Sequence, residues 1–262
     1  MYDFEYQRAT SVEDATAKYG AAEDARFLAG GMTLVPVLKQ RLDQPSDVVD
    51  LGDLDDMRGI SEEGGAIVIK AMTTHHDVNT SDLVNNKIPA LAALAATIGD
   101  QMVRNRGTIG GSLANNDPAA SYPSAVLALN ATIKTNAREI SADDFFTGMF
   151  DTALDEGELI LAVSFPIPEE SGYKHFPNPA SRFPIVGSFV AKSSDGVRVA
   201  ITGAGPCAFR VTEFEDALSG GFDPDAIRDI KVSDDGLNTD IHASAEYRAH
   251  LINVMTRRAM GE

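Results

Sequence analysis

The sequence predicts an α+β protein with a two-lobed N-terminal portion, followed by a C-terminal antiparallel sheet with helices. Helical and strand patterns alternate over residues 1–55, which is typical of a small lobe built on parallel strands. Apolar runs at 186–191 and 197–202 flank a Ser-Asp-Gly turn and predict an antiparallel hairpin. Pro166 and Pro168 end a strand pattern, so we divide the chain into residues 1–55, 56–168 and 169–262.

The first part contains two predicted helices and two predicted strands. Ser11, with Asp14 at the capping-box position, predicts the start of the first helix. A leucine at every fourth position from Leu34 to Leu42 predicts the second helix. In chain order the predicted elements are a helix at 12–19, a strand at 25–28, a helix at 33–42 and a strand at 47–51.

The second and third parts are predicted from apolar runs and turn signals. A Glu-Glu-Gly-Gly turn between Ile60 and the run 66–70 indicates a hairpin. In the second part we expect further helices at 89–96 and 124–129 and strands at 131–135 and 158–165. In the third part, a helix from Ala243 to about Met260 is predicted to place Tyr247, Leu251, Val254 and Met255 on one apolar stripe.

Two glycine pairs are the most informative local feature of the chain. The first lies at 29–34, between a predicted strand and a predicted helix, and the second lies at 108–112. A glycine pair lacks two Cβ atoms, so the backbone can take positive φ and turn its N–H groups toward an anion. Although one Gly-Gly pair is usually an ordinary turn, two such loops can together clamp a diphosphate.

The second glycine pair lies inside an unusual segment. Residues 101–118 are rich in small and polar side chains and show neither helical nor strand periodicity. A long irregular segment between ordered flanks is typically functional, so we expect a binding loop here. Arg104 or Arg106 could offset the acidic background near a bound phosphate, and a solvated or subunit-interface position for either arginine is an equal alternative.

Four segments of the chain occur together in one known family. They are AGG-x-x-L at 29–34, RNRGTIGGSLANNDPAA at 104–120, Phe4-x-Tyr6, and residues 240–248. With them, the whole chain resembles the FAD-binding medium subunits of molybdenum hydroxylases, the family of xanthine dehydrogenases and aerobic carbon monoxide dehydrogenases. The resemblance implies the vanillyl-alcohol oxidase or PCMH type of FAD-binding fold for the two lobes. The compact chain and the tail segment favour the carbon monoxide dehydrogenase-like branch.

The resemblance implies which residues bind FAD. The two glycine loops are expected at the diphosphate and the ribityl chain, with Asn115 and Asp117 as polar partners. Ser121 stands where the family commonly has an acidic residue. Leu161 is expected near the adenine or the flavin, and Phe183 near the isoalloxazine ring, although core packing is an alternative for both. The complete expected set is Ala29, Gly30, Gly31, Met32, Thr33, Thr108, Ile109, Gly110, Gly111, Ser112, Asn115, Asp117, Ser121, Leu161 and Phe183.

The resemblance also implies partners. Substrate would be oxidised at a molybdenum cofactor on a large subunit, and electrons would cross two iron–sulfur clusters on a small subunit to reach FAD. From FAD they would pass to NAD⁺, a quinone or oxygen. Cys207 is the only cysteine, so this chain cannot hold such a cluster itself. We identify no catalytic residue, because the protein's task is to bind and orient the flavin.

Composition excludes several other classes of function. The chain has 22 basic and 39 acidic residues, a net charge of −17, which argues against binding nucleic acid or anionic membranes. The dinucleotide motif G-x-G-x-x-G and the phosphate-loop motif are absent. His75 and His76 are expected at a helix start on the surface, without a metal. No signal peptide or membrane helix is recognisable, so we expect a cytoplasmic protein.

Two other functions stay open at this point. The chain could be a self-sufficient flavoenzyme, which would need a proton donor such as Tyr, Ser or Glu beside the flavin. It could also be a scaffold that has lost the flavin and only binds the other subunits, although the intact glycine loops argue against this.

Overall fold

The computed structural model describes all residues from 1 to 262. In the first part, three parallel strands form a small sheet in the order β1-β3-β2, with a helix after each of the first two strands. The elements are β1 (Glu5–Arg8), α1 (Val12–Ala21), β2 (Ala25–Leu28), α2 (Leu34–Lys39) and β3 (Asp47–Asp50). The parallel lobe inferred from the sequence is therefore confirmed.

The ends of the two helices in this lobe show what sequence patterns capture. The Ser11 hydroxyl accepts the Asp14 amide, so the predicted cap of α1 is present. The second helix is shorter than predicted and ends at Lys39, because Arg41 takes a left-handed conformation with φ of 59°. Leu42 is consequently 73% exposed and does not continue the leucine stripe.

The second part is an antiparallel sheet with helices packed on it. Its strand order is β4-β5-β10-β6-β7, so the hairpin predicted around residues 60–70 is confirmed. The elements are β4 (Ile60–Glu63), β5 (Ala66–Lys70), α3 (His75–Thr80), α4 (Asp82–Lys87), α5 (Pro89–Ala96), α6 (Gln101–Arg104), α7 (Ile109–Asn115), α8 (Tyr122–Ala128), β6 (Thr132–Thr135), β7 (Glu139–Ser141), α9 (Ala142–Phe145), β8 (Phe146–Gly148), β9 (Asp151–Thr152) and β10 (Ile160–Pro166).

The prediction of an irregular segment at 101–118 is wrong in detail. Two short helices, α6 and α7, lie within it, and the second glycine pair falls in the first turn of α7. Asp100 and Thr108 cap these helices by accepting the amides of Val103 and Gly111. Helices this short do not produce a recognisable periodicity, so their caps were the available signal.

The third part is a four-stranded antiparallel sheet with a long helix across it. The predicted hairpin is confirmed, and the strand order is β11-β12-β13-β14. The elements are β11 (Glu170–Pro177), β12 (Pro184–Ser193), β13 (Gly196–Thr202), β14 (Phe209–Arg210), α10 (Thr212–Ala217) and α11 (Ala245–Ala259). Short 3-10 turns occupy Asp55–Met57, Leu218–Gly220 and Pro224–Ile227.

The buried face of α11 differs partly from the predicted stripe. Leu251 and Met255 are buried as expected, but Tyr247 is 42% exposed. Ile252 and the aliphatic part of Arg248 take the vacant places in the buried face. Because arginine is not counted as an apolar residue, the apolar periodicity does not predict that Arg248 is buried.

Two hydrophobic cores hold the chain together. The larger core joins the first two parts and also includes Tyr173, Phe189 and Ala200 from the third. The smaller core lies between the third sheet and α11 and includes Phe214 and Ile252. No helix of the structure is long and apolar enough to cross a membrane.

Candidate functional site

The main cavity of the molecule has a volume of about 640 Å³ and is lined by residues from all three parts of the chain. The first loop, residues 29–34, forms one wall between β2 and α2. The second loop, at 108–112, also lines the cavity, apart from Ile109. A further contribution comes from residues 181–184, which precede and begin β12.

The two loops pack directly against each other. A Cβ placed on Gly30 would stand 2.0 Å from the Arg106 carbonyl oxygen and 2.8 Å from the Gly107 Cα. A Cβ on Gly111 would lie 3.5 Å from the Cβ of Ala29. The glycines therefore permit backbone-to-backbone contact between segments that lie far apart in the sequence.

The first loop presents a row of free hydrogen-bond donors. The backbone N–H groups from Ala29 to Leu34 donate to no atom of the protein. Gly31 turns the chain here with φ of 73°, a conformation that glycine adopts without strain. Successive unpaired amides in a turn form a concave site for an anion, because several partial positive charges converge.

The second loop does not present free amides, which corrects the expectation from its glycine pair. The Gly110 amide donates to the Ala71 carbonyl, and the Gly111 amide donates to the Thr108 hydroxyl. Neither glycine has positive φ. Gly110 is required instead by close packing, since its Cβ would stand 2.6 Å from that of Ala71.

Side chains, rather than amides, are what the second loop and its continuation offer to the cavity. Ser112 and Asn115 line the cavity, and their side chains make no hydrogen bond within the protein. Asp117 also lines it, with one carboxylate oxygen accepting the Ala119 amide. These groups are free to bind hydroxyl groups of a ligand.

Of the residues expected from the sequence, all but Ile109 and Leu161 line the main cavity. Ile109 is fully buried beneath the second loop, and Leu161 packs against the larger core. The lining members are Ala29, Gly30, Gly31, Met32, Thr33, Thr108, Gly110, Gly111, Ser112, Asn115, Asp117, Ser121 and Phe183. Leu161 lies at an irregularity in the pairing of β10 with β6, between Ile160, which does line the cavity, and Ala162.

Sequence analysis named Ser121 and Phe183 but missed other residues at the two ends of the cavity. At one end Tyr19 and Phe27 stack with ring centroids 4.6 Å apart, next to residues 155–160. At the other end Gly99 faces the Arg182 side chain, which donates to its carbonyl oxygen at 3.3 Å. These residues belong to no recognisable motif, although positive φ at Arg182, 66°, marks that turn as unusual.

The cationic groups of the cavity also differ from those expected. The Arg104 guanidinium donates to the carbonyl oxygens of Ile98 and Gly99, and neither Arg104 nor Arg106 places its side chain in the cavity wall. Arg26 and Arg182 are the lining arginines. Arg26 is paired with Asp43, so Arg182 carries the more available positive charge.

Glu158 is the buried carboxylate of the cavity wall. Its oxygens accept hydrogen bonds from the Arg138 guanidinium, the Thr135 hydroxyl and the Asp155 amide. The bond from Arg138 is the main cause that lowers the pKa of Glu158 to about 2. Glu158 is therefore an anion at neutral pH that orders the loop 155–158 and has no proton to give.

His75 lies behind the second loop, contrary to the surface position expected for it. It is 5% exposed, its ring packs against Tyr122 with centroids 5.3 Å apart, and its Nδ1 has no partner in the protein. Burial, together with the nearby charge of Arg104, lowers the pKa of His75 to about 4. The imidazole is therefore neutral where it borders the cavity.

FAD fits the groups that line this cavity. The volume of about 640 Å³ lies within the range of about 300–1,000 Å³ typical of ligand pockets. The free amides of the first loop suit a diphosphate. The hydroxyl and amide side chains of the second loop and its continuation suit a polyhydroxylated linker. Each end of the cavity carries aromatic or apolar side chains that suit a planar ring system.

Comparison with known proteins identifies the family. Residues 2–168 match the family described as "FAD binding domain in molybdopterin dehydrogenase". The nicotine 6-hydroxylase medium subunit of Paenarthrobacter nicotinovorans is 35% identical, over 98% of this chain and 96% of the relative. The carbon monoxide dehydrogenase medium chain of Hydrogenophaga pseudoflava is 32% identical over the same shares.

Solved structures agree with the sequence relatives. The reconstituted carbon monoxide dehydrogenase from Oligotropha carboxidovorans superposes with a TM-score of 0.89 at 32% identity, over 98% of this chain and 96% of that one. Quinoline 2-oxidoreductase from Pseudomonas putida 86 gives 0.89 at 30% identity, over 99% and 96%. The chain belongs to the FAD-binding medium subunits of the molybdenum hydroxylase family, as an oxidoreductase subunit.

Proposed function

We propose that this subunit holds FAD in the main cavity, with the diphosphate on the backbone amides of residues 29–34. The observation that carries the proposal is that the backbone N–H groups of residues 29–34 donate to no protein atom, in a loop that lines a cavity of suitable size. Unpaired amides are unfavourable unless water or a ligand satisfies them, so this loop is shaped for an acceptor-rich group. Arg182 adds a positive charge elsewhere on the cavity wall.

The second loop supports the same binding site from beside the first loop. The amides of Gly110 and Gly111 donate to protein atoms, and the bond from Gly110 to the Ala71 carbonyl fixes the backbone of α7 against Ala71. The hydroxyl groups of Thr108 and Ser112 and the amide of Asn115 then bind the ribityl and ribose hydroxyls. Rigid support of these side chains holds the flavin in one orientation.

We place the isoalloxazine ring at the end formed by Ala119, Ala120, Ser121 and residues 181–184, and the adenine at the end near Tyr19 and Phe27. Phe183 supports this direction, since its ring is 49% exposed and lines the cavity at a point that solvent can also reach. A redox-active ring needs access to electron donors and acceptors, whereas the adenine does not.

FAD, when bound, supplies an electron carrier that exchanges one or two electrons. We propose that electrons come from a small two-cluster iron–sulfur subunit, which receives them from a large molybdopterin subunit that oxidises the substrate. The names of the relatives as medium subunits or medium chains support a complex of this kind. The external acceptor is NAD⁺, a quinone or oxygen.

The branch within the family is a separate proposal. We favour a carbon monoxide dehydrogenase-like complex because of the compact chain and the tail segment at 240–248. Solved relatives of that name have TM-scores of 0.87 to 0.89, and quinoline 2-oxidoreductase reaches the same value of 0.89. We also assign residues 1–55 and 56–168 to the vanillyl-alcohol oxidase or PCMH type of FAD-binding fold and 169–262 to a separate unit. The family match, which ends at residue 168, supports the second boundary.

The two alternative functions have less support. A self-sufficient flavoenzyme needs a proton donor at the flavin. Glu158 does not meet this need, because it is held ionised by Arg138 and lies at the end of the cavity that we assign to the adenine. A flavin-free scaffold would not need unpaired amides facing a cavity of this size.

The proposal is tested by replacing Gly31 with alanine and measuring bound FAD. Gly31 has φ of 73°, and its Cβ would meet side chains of Val35 and Leu28 at 3.1 and 3.2 Å, so the amide row should distort. Gly65→Ala is the matched control, since Gly65 also has positive φ, 84°, but lies in an open hairpin turn with nothing nearby. We expect loss of FAD in the first variant only. Equal FAD content in both would contradict the proposed clamp.

A second experiment tests the assembly. The chain is co-expressed with its genomic neighbours, purified through a tag on this subunit and assayed for FAD, iron and molybdenum. Stoichiometric FAD with both metals is the expected result. FAD without either metal, on a chain that purifies alone, would favour the self-sufficient flavoenzyme.

A further inference from the structure

The hydroxyl group of Tyr173 is a buried polar group that the protein leaves without a partner. Tyr173 lies on β11, is 7% exposed and belongs to the larger core. Its hydroxyl oxygen makes no hydrogen bond within the protein. A buried hydroxyl without a partner destabilises the folded chain, which points to a role that the chain alone does not reveal.

Contacts on the third sheet place this hydroxyl beside one end of the main cavity. A Cβ on Gly187, in the neighbouring strand β12, would stand 3.1 Å from the Tyr173 hydroxyl and 3.0 Å from the Thr202 Cγ2. The Thr202 hydroxyl in turn donates to the Ala120 carbonyl at 2.5 Å. The Tyr173 hydroxyl therefore lies next to the contact through which the third sheet supports residues 118–121.

Two further hydroxyl groups lie between Tyr173 and the main cavity. Thr97 and Ser121 line the cavity. Burial raises the pKa of Tyr173 to about 12, and the neighbouring side chains of Ser121 and Thr97 limit that rise. Thr97 donates its hydroxyl proton to the Leu94 carbonyl at 2.6 Å, whereas the Ser121 hydroxyl donates to no atom of the protein. Ser121 is therefore the hydroxyl of this group that can donate to a ligand.

The proton inventory of the three hydroxyl groups gives the direction of their hydrogen bonds. A hydroxyl has one proton to donate and two lone pairs to accept with, and a phenol is a stronger donor than a serine because it is the stronger acid. When Tyr173 donates to Ser121, the proton of Ser121 is left for the ligand. Two hydrogen bonds in series polarise and strengthen each other. The oxidised isoalloxazine ring carries more acceptors than donors, so it suits this direction.

We propose that Tyr173 is a positioning residue for the flavin, which orients and strengthens, through Ser121, a hydrogen bond donated to the isoalloxazine ring. The inference rests on the proposed function, which assigns that ring to the end of the main cavity that includes Ser121. Reduction adds electron density to the oxygen and nitrogen atoms of the ring, so a donor stabilises the reduced form more than the oxidised form. Tyr173 therefore raises the midpoint potential of bound FAD.

The proposal is tested by Tyr173→Phe, which removes the hydroxyl and keeps the packed ring. The midpoint potential of FAD bound to the full chain is measured by anaerobic reductive titration against a reference dye. We expect reduced FAD to bind roughly fivefold more weakly relative to oxidised FAD, which lowers the two-electron potential by about 20 mV. A potential equal to that of the parent protein, or higher, would overturn the proposal.

Tyr122→Phe is the matched control. The Tyr122 hydroxyl is also buried and unpartnered, but burial alone raises its pKa, and Tyr122 packs against His75 outside the cavity lining. Each substitution removes an unsatisfied hydroxyl, so the urea midpoint of the FAD-free chain should be maintained or rise in both variants. Only Tyr173→Phe should lower the potential. Equal potentials in the two variants, or a lower urea midpoint for Tyr173→Phe without a change in potential, would show that Tyr173 serves the fold alone.

A double-mutant cycle tests whether Tyr173 acts through Ser121. Ser121→Ala should lower the potential by itself, and adding Tyr173→Phe to it should change the relative binding of reduced FAD by less than about twofold. An undiminished effect of Tyr173→Phe in the Ser121→Ala background would overturn the proposed route. If the parent protein holds no FAD, alone or in the co-expressed complex, the proposed function fails and this inference fails with it. If FAD is bound and the potentials are equal, this inference alone fails.

Discussion

Gly30 lies so close to Arg106 that a Cβ on the glycine would stand 2.0 Å from the arginine's carbonyl oxygen. This distance is far shorter than any Cβ contact can be, so even the smallest side chain must separate the two loops. Both loops line the main cavity, and its geometry therefore depends on one missing methyl group.

Gly30→Ala should release FAD without unfolding the chain. The loops can move apart because the first loop is anchored only at its ends by β2 and α2. We expect FAD affinity to fall by at least about tenfold, which corresponds to about 1.4 kcal/mol. Isothermal titration with FAD measures the change. Gly20→Ala, at a position with open space around it, is the control and should bind FAD normally.

Burial of His75 should make the free energy of unfolding decrease as the pH falls below neutrality. Its pKa is lowered to about 4 by burial, so the unfolded chain binds a proton between about pH 6.5 and pH 4 that the folded chain does not. Stability is therefore highest above that window and falls as pH decreases through it, by about 3 kcal/mol in total. Burial lowers the pKa of His175 as well, so His175 adds to the same slope.

The contribution of His75 is isolated by comparing His75→Gln with His175→Gln. Urea unfolding at pH 7 and pH 5 gives the free energy of unfolding for each variant. We expect the pH slope to flatten more for His75→Gln, because His75 is the more buried residue. An unchanged slope in that variant would mean that His75 is protonated in the folded chain.

Asn116 should be essential for the hairpin of β8 and β9. It ends α7 with φ of 40°, and its side-chain NH₂ donates to the carbonyl oxygens of Gly148 and Asp151. We expect Asn116→Ala to lower the free energy of unfolding by about 3 kcal/mol, through backbone strain and two unsatisfied carbonyls. Asn116→Gly also leaves the two carbonyls without a donor, but glycine adopts positive φ without strain. The decrease in its free energy of unfolding, measured in urea, should therefore be smaller than that of Asn116→Ala by about 1 kcal/mol.

Glu158 should stabilise the loop that closes one end of the main cavity. Glu158→Gln keeps the size of the side chain but weakens its bonds with the Arg138 guanidinium and the Asp155 amide. We expect a loss of about 1–3 kcal/mol at pH 7, and a smaller difference from the parent protein below about pH 4. The reason is that between about pH 4.5 and pH 2 the unfolded parent chain protonates Glu158 while the folded chain keeps it ionised, so the stabilisation by the carboxylate is lost over that range. A difference that does not change with pH would show that charge has no part in the interaction.

Much of the fold followed from local patterns. The parallel lobe and the hairpins at 60–70 and 186–202 were predictable because each strand lies next to its partner in sequence or follows a helix. The short helices α6 and α7 were missed because four and seven residues are too few to show a period. The early end of α2 depends on the left-handed conformation of Arg41, which no composition rule requires.

The candidate site was predictable where glycine was the signal and not elsewhere. Both glycine loops line the cavity, but their physical roles differ from the expectation of positive φ throughout. Only Gly31 adopts it, whereas Gly30 and Gly110 are required by tertiary contacts with Arg106 and Ala71. The role of Arg182 depends on contact with Gly99, 83 residues away, and sequence alone does not show which distant segments meet.

Contacts between the third part of the chain and the first two parts determine which fragment of the protein can form the complete cavity. The family match ends at residue 168, yet the Thr202 hydroxyl bonds to the Ala120 carbonyl, and Phe189 and Ala200 belong to the larger core. A fragment ending at 168 would keep every residue of both glycine loops but would lose the wall made by residues 181–184. The segment that matches the FAD-binding family is thus smaller than the one that must fold together to make a complete binding site.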